Sequence, residues 1–214
     1  MMMLLLAKLL LAYLLGSLSG SLILGRFRGV DIRTQGSGNA GGTNAFRTQG
    51  WRFALGVVAI DIGKGALASG LGLLPPAVPG LDALTVALAC GIACAVGHVW
   101  PVFFGFRGGK GAAVFIGVLA VCLPLAIPLL LLAWLLVLTL TGYVGLATVV
   151  AGLALVPAAW WLGQDAPATW IGFALAIAAL IVFTHRSNLA RLIAGSEHRF
   201  DKARIWHRLA ARGR

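Results

Sequence analysis

Acidic residues are scarce in this chain: six Asp and Glu stand against 17 Lys and Arg. No two carboxylates are set as a Mg²⁺ pair, and no His/Cys spacing matches a zinc site. Neither a metal nor a cofactor is expected. A G-x-S-x-G nucleophile elbow is also missing. Cysteine is nearly absent. Cys90, Cys94 and Cys122 all lie in apolar stretches, and Cys90 and Cys94 share a helical face at i,i+4 with no His or carboxylate beside them. They read as core filling, and no structural disulfide is expected. Charged residues of either sign make up only 11% of the chain, which excludes a soluble domain of this size.

What is present instead is apolar. Hydrophobic residues are 60% of the 214 positions, against roughly 45–50% in soluble globular chains. That much apolar surface needs lipid as its solvent. The runs are continuous rather than alternating, which excludes a barrel. The expected fold is all-α, a polytopic transmembrane helical bundle forming a single domain over 1–214, with 196–214 as a basic cytoplasmic tail. The formal charge of +11 sits between apolar runs and in that tail, not on a soluble module. It follows the positive-inside rule, and nucleic acid is not an expected partner. Met1 to Ser21 has the look of a signal peptide, but its apolar run continues to Leu24 and the basic flank of Arg26, Arg28 and Arg33 comes after it. A signal carries that charge first, so a retained first helix is expected.

Apolar segments cover about 3–25, 52–74, 82–104, 112–162 and 169–184. Loop 26–52 holds five Arg and one Asp, which predicts a cytoplasmic loop and an outside N-terminus. Loops 75–81 and 163–168 carry no Lys or Arg and suit the outside, while the basic tail suits the cytoplasm. The stretch 112–162 must then cross an odd number of times. Breaks near Pro124, Pro128 and Thr141-Gly142 predict three short helices, giving seven in total, with five as the alternative. Gly16 and Gly20, with Ser17 and Ser21, form a small-residue face for close helix approach. From Glu197 to Arg214 basic residues alternate with Phe200, Ile205, Trp206 and Leu209, a pattern that suits a short helix on an anionic leaflet or plain charge anchoring.

Three polar clusters interrupt this membrane-like text. The first, Ser37-Gly38-Asn39-Ala40-Gly41-Gly42-Thr43-Asn44, is followed by Arg47. With Gly36 it matches the dinucleotide fingerprint G-x-G-x-x-G, but no apolar strand precedes it. What remains is a tight loop that aims N–H and O–H donors at an anion. The second, Gly108-Gly109-Lys110-Gly111, lacks the Ser or Thr of a Walker A loop, yet sets Lys110 beside a helix start. His98 lies upstream, where capping or packing is an equal reading. In the third, His185, Asn188 and Arg191 are spaced three apart and share one helix face, with Glu197 following. Asp61 and Lys64, at i,i+3 in an apolar helix, read as structural support for a site. A transporter of phosphorylated metabolites would also need buried base, but its polar groups should reach both faces. A structural membrane subunit would need no such donor clusters.

In order and spacing these clusters resemble the bacterial acyl-phosphate:glycerol-3-phosphate acyltransferases over nearly the whole chain. The likeness runs through Gly16-Ser17, Asp31-Ile32-Arg33, Ser37 to Asn44, Asp61-x-x-Lys64-Gly65 and Gly97-His98-x-x-Pro101-x-Phe103. It continues through Gly108 to Gly111, His185-Arg186-x-Asn188 and Arg191-Leu192-x-x-Gly195-x-Glu197. Gly42, Ser19 and Arg199 depart from the usual Ala, Pro and Lys. No His is followed by Asp five positions on, so the H-x₄-D arrangement of other glycerolipid acyltransferases is absent. The resemblance implies acyl transfer from an acyl phosphate to the sn-1 hydroxyl of glycerol 3-phosphate, giving lysophosphatidate and phosphate for phospholipid biosynthesis. It implies a monomer in the bacterial inner membrane, among membrane lipids, with its site on the cytoplasmic face. Arg47, Lys110, His185 and Asn188 are the expected catalytic residues. Ser37, Gly38, Asn39, Gly41, Thr43, Asn44, Gly108, Gly109, Arg191 and Glu197 are expected to bind substrate or phosphate, with Asp61, Lys64 and His98 in support.

Overall fold

A computed structural model describes residues 2–204. Among them the regular structure is helical, with no strand, as the continuous apolar runs require. The α-helices are α1 Met2–Gly16, α2 Gly20–Phe27, α3 Gly42–Gln49, α4 Trp51–Leu73, α5 Ala83–Val99, α6 Ala112–Cys122, α7 Ala126–Thr141, α8 Val144–Leu162, α9 Pro167–Thr184 and α10 Arg186–Ile193. They fall into two compact units, Met1–Pro124 and Leu125–Arg214.

In the first unit α4 packs along α5 and α6, and α1 along α5. The helices meet backbone to backbone. A Cβ added to Gly16 would overlap the Cys94 carbonyl, and one on Gly65 the Val114 carbonyl. In lipid, where burying apolar surface gives helices no net gain, such close approach is what holds them together. The segment expected as one helix over 3–25 is instead a pair, α1 and α2, bent by 44° across Ser17–Ser19. The loop after it is not irregular throughout. It carries a 3₁₀ turn, Ile32–Thr34, and the two-turn α3.

The stretch 112–162 divides into α6, α7 and α8, with Pro124 in one break and Gly142, at φ +81°, ending α7. In the second unit α7 packs on α8 and α8 on α9. Only Ala126 and Leu130 of α7 are buried, while Leu131, Leu132, Leu135 and Leu136 face outward. An outward leucine face is wrong for water and right for lipid. Helices α4, α5 (extended to Phe104), α8 and α9 are long and apolar enough to span a membrane, and the α1–α2 pair passes the same test only when taken together across its 44° bend. Helices α6 and α7 are shorter, at 11 and 16 residues. This is a multi-pass membrane protein.

Beyond Glu197 the described chain is not the helix expected there. Phe200 N donates to Gly142 O at 2.8 Å, Arg199 Nε donates to Thr141 O at 3.0 Å, and a 3₁₀ turn follows at Asp201–Ala203. The exposed carbonyls at the end of α7 draw the segment back as a C-terminal cap. The remainder of the basic tail, 205–214, lies outside the described residues.

Candidate active site

The first cluster rests on a small apolar floor of Ile32, Ala45, Phe53, Ala54 and Val57. Asp31 caps the 3₁₀ turn by accepting from Arg33 N at 2.9 Å, and its carboxylate also takes the Arg33 guanidinium at 2.7 Å. That guanidinium holds the Asp31 carboxyl below the usual aspartate range. Arg33 Nη1 then donates to Phe104 O at 2.8 Å and Arg107 O at 3.2 Å, tying the first cluster to the approach of the second. Gly36 and Gly38 adopt φ of +56° and +72°, the left-handed turn that leaves the Ser37–Asn39 backbone on the surface.

Asn44, expected to bind phosphate, is buried and engaged with its own loop. Its Oδ1 accepts from Ser37 N at 3.0 Å, and its Nδ2 donates to Ile32 O at 2.9 Å and Gln35 O at 3.0 Å. It shapes the turn and does not reach outward. Gly41 precedes α3, so the turn feeds into a helix N-terminus whose first N–H groups have no intrahelical acceptor. Thr43 and Arg47 lie one turn apart on α3 and are half-buried.

The second cluster folds back on the end of α5. Gly108 N donates to Val99 O and Gly109 N to His98 O, each at 3.1 Å. A Cβ on Gly108 would overlap the His98 carbonyl; one on Gly109 would overlap His98 Nε2 and come within 3.0 Å of Ala40 O. The two glycine-rich loops therefore meet around the His98 ring. Lys110 is half-buried just before α6, whose N-cap is Gly111 at φ +87°.

Beneath these loops Asp61, Lys64 and His98 form a buried group, each side chain no more than 3% exposed. Lys64 Nζ lies 2.9 Å from Asp61 Oδ1 and 2.8 Å from His98 Nδ1. It also donates to Gly16 O at 2.9 Å and Leu18 O at 3.1 Å, the carbonyls bared where α1 breaks from α2. The expected supporting pair thus answers a helix break that the sequence did not show.

In the second unit His185 links α9 to α10 and is buried. Its Nδ1 lies 2.9 Å from Ile181 O. A carbonyl only accepts, so Nδ1 carries a proton. Asn188 and Arg191, one turn apart on α10, both reach Glu197: Asn188 Nδ2 donates to Oε1 and Arg191 Nε to Oε2, each at 2.7 Å. Glu197, expected to contact substrate, engages both of these donors. A carboxylate repels phosphate, which makes this the better chemistry for it.

A family model described as glycerol-3-phosphate acyltransferase matches residues 6–195. The chain belongs to this acyltransferase family. It is 36% identical over 230 residues to the glycerol-3-phosphate acyltransferase of Chlorobaculum parvum, covering 93% of this chain and 97% of that one. It is 42% identical over 194 residues to that of Desulforudis audaxviator, covering 89% and 93%. Its fold matches the crystal structure of PlsY (YgiH), an integral membrane glycerol 3-phosphate acyltransferase, in the glycerol 3-phosphate form. The TM-score is 0.81 at 35% identity, over 92% of this chain and 95% of that one. The lysophosphatidic acid form of PlsY matches with a TM-score of 0.78 at 34% identity, over 91% and 94%.

Several residues that shape the acyltransferase's clusters carry no role in the sequence reading. Arg33 reads there as a cytoplasmic charge and as part of the Asp31-Ile32-Arg33 likeness, with no site role of its own. Ser21, whose Oγ donates to Ala40 O at 2.9 Å, reads as part of a small-residue face. Gly145 was one glycine among 29, yet a Cβ there would press on the Asn188 side chain at 2.8–2.9 Å. Only its position opposite α10 reveals that it makes room for a donor.

Proposed function

We propose that this protein transfers a fatty acyl group from an acyl phosphate to the sn-1 hydroxyl of glycerol 3-phosphate, giving 1-acylglycerol 3-phosphate and inorganic phosphate. The observation that carries the reading is the meeting of two glycine-rich, donor-bearing loops around His98, in a chain whose relatives are named for glycerol 3-phosphate acylation. The family match runs across both units, which supports one acyltransferase domain over the chain.

The Ser37, Gly38, Asn39, Gly41 and Thr43 turn receives a phosphate on backbone and hydroxyl donors, at a helix N-terminus that favours negative charge. Arg47 offers a planar two-donor fork and Lys110 a mobile point charge; Gly108 and Gly109 keep the approach to Lys110 narrow. In the second unit Asn188 and Arg191, aimed by Glu197, hold substrate oxygens. His185 Nε2 accepts a hydrogen bond from the acceptor hydroxyl and orients it. As the hydroxyl oxygen bonds to the acyl carbon, the bond from that carbon to the phosphate oxygen breaks. The hydroxyl proton passes to His185 or to a substrate phosphate oxygen. Phosphate is already a good leaving group, so cationic stabilisation of its departing charge suffices, with neither a metal nor an acyl-enzyme.

The Arg-rich 26–52 loop and the basic tail support a cytoplasmic site, an outside N-terminus and an inner-membrane location, with the chain acting as a monomer among membrane lipids. Cysteine placed at Gln35 or Ser196 should resist an impermeant thiol reagent added to intact cells; efficient labelling at either refutes that topology. The function is tested with purified protein, a long-chain acyl phosphate and glycerol 3-phosphate. Lysophosphatidate should form, and should still form in excess EDTA. Product from an acyl thioester but not from acyl phosphate would overturn the donor assignment.

A further inference from the structure

In a continuous helix Gly20 N would donate to Gly16 O, but the bend at Ser17–Ser19 parts them. The two orphaned groups turn to one ion pair. Gly16 O accepts from Lys64 Nζ at 2.9 Å, and Gly20 N points at Asp61 Oδ1 at 3.4 Å. Asp61 and Lys64 together stand in for the lost Gly20–Gly16 backbone hydrogen bond, and Lys64 also takes the bared Leu18 O at 3.1 Å.

From this break two paths lead to the glycine-rich loops. Along the first, Lys64 donates to His98 Nδ1 at 2.8 Å. His98 Nδ1 also lies 3.4 Å from Asp61 Oδ1, so both members of the ion pair fix the ring, whose Nε2 edge is pressed against Gly109. Along the second, α2 carries Ser21, whose Oγ donates to Ala40 O at 2.9 Å, and that carbonyl also borders the Cβ position of Gly109. We propose that Asp61, Lys64 and His98 are positioning residues for acyl transfer: through the broken first helix and the His98 ring they set the spacing between the two glycine-rich loops. The inference rests on the functional reading above. It extends that reading to three buried side chains whose polar atoms are bonded to one another and to the helix break.

Lys8 shows what a purely structural buried lysine looks like in the same unit. It is 5% exposed, donates to Gly72 O and Leu74 O at the end of α4, and connects to neither loop. Lys64 differs because two of its partners lead to the site.

Charge balance and positioning are separable by experiment. Lys64→Met alone strands a buried carboxylate and should destabilise the protein. The double variant Asp61→Asn/Lys64→Met removes both charges and should melt in detergent within a few degrees of the parent. It also loses the donor to Gly16 O, Leu18 O and His98. Its turnover of acyl phosphate should therefore fall about 100-fold, the cost of an ångström-scale misplacement, and its Kd for glycerol 3-phosphate should weaken. A second comparison does not depend on that variant folding. His98→Asn restores an acceptor near the Nδ1 position and should retain at least tenfold more turnover than His98→Ala. Parent-like turnover in the double variant, or equal loss in His98→Asn and His98→Ala, overturns the inference alone. A parent protein that neither binds glycerol 3-phosphate nor acylates it overturns the functional reading and the inference with it.

Discussion

In the first unit the groups around the glycine-rich loops are largely backbone, fixed by left-handed φ angles and by buried charges under the loops. In the second they are side chains on one short helix, fixed by the Glu197 carboxylate. A backbone site has no rotamers to lose and holds its donors at fixed spacing, but it cannot accommodate an added atom. A side-chain site tolerates small shifts, but depends on the group that orients it. The two halves of the polar machinery should therefore fail in different ways.

The sharpest contrast is between two glycines. Gly108→Ala drives a Cβ into the His98 carbonyl, which is backbone and has nowhere to go. Turnover should fall about 100-fold or more, with a lower melting temperature. Gly145→Ala presses on the Asn188 side chain, nearest at its Cβ, so α10 must give by a few tenths of an ångström; the loss should be about tenfold in kcat with a smaller fall in melting temperature than at Gly108. Equal effects at the two positions would erase the distinction.

Next in size is the exchange of cations within the first unit. Arg47→Lys should be nearly as damaging as Arg47→Ala, because a point charge cannot reproduce a planar fork. Lys110→Arg should keep more activity than Lys110→Ala. Wild-type turnover in Arg47→Lys would remove the two-donor role.

The second unit is probed more gently at Glu197. A Gln there can accept from Asn188 or from Arg191 but must turn an N–H₂ toward the other. Losing one charge-assisted bond should lower kcat/KM about 10- to 100-fold, and Glu197→Ala should lower it further. If Glu197→Gln matches the parent, the carboxylate is not what aims the pair.

The smallest effect concerns pH. Asp31 is more acidic in the folded protein than the usual aspartate value of 3.8, chiefly through its hydrogen bond to Arg33. Its contribution is present above that pH and is lost as pH falls through the lowered folded value. Its side chain is 41% exposed, so the effect is modest. Asp31→Asn should slightly flatten the fall in melting temperature below about pH 4; an unchanged profile would show that Arg33 holds residues 104–107 without it.

The sequence made the helical class legible because apolar runs and their breaks are one-dimensional signals. Pro124 and Gly142 ended helices where they stood. The polar clusters were legible too, because small residues with Arg, Lys and His are out of place in a membrane chain. What stayed hidden depends on partners far along the chain. The Gly16–Ser21 run reads as a small-residue packing face, and the groups that satisfy its broken backbone are residues 61 and 64. Asn44 and Glu197 have the chemistry of ligand-binding residues, and only distances of 2.7–3.0 Å to their own neighbours reveal them as organisers. The short α3 and α10 are amphipathic two-turn helices, too brief for periodicity to declare.

The bend in the first helix also implies an order of biosynthesis. As residues 2–27 enter the lipid, Lys64 is not yet present to satisfy Gly16 O and Leu18 O, and bare carbonyls are costly there. The nascent segment should therefore insert as an uninterrupted rod, its backbone bonds all internal. It can crease only when Lys64 has been synthesised and α4 has docked. The crease is thus a late event, made by a helix that arrives after the segment it reshapes.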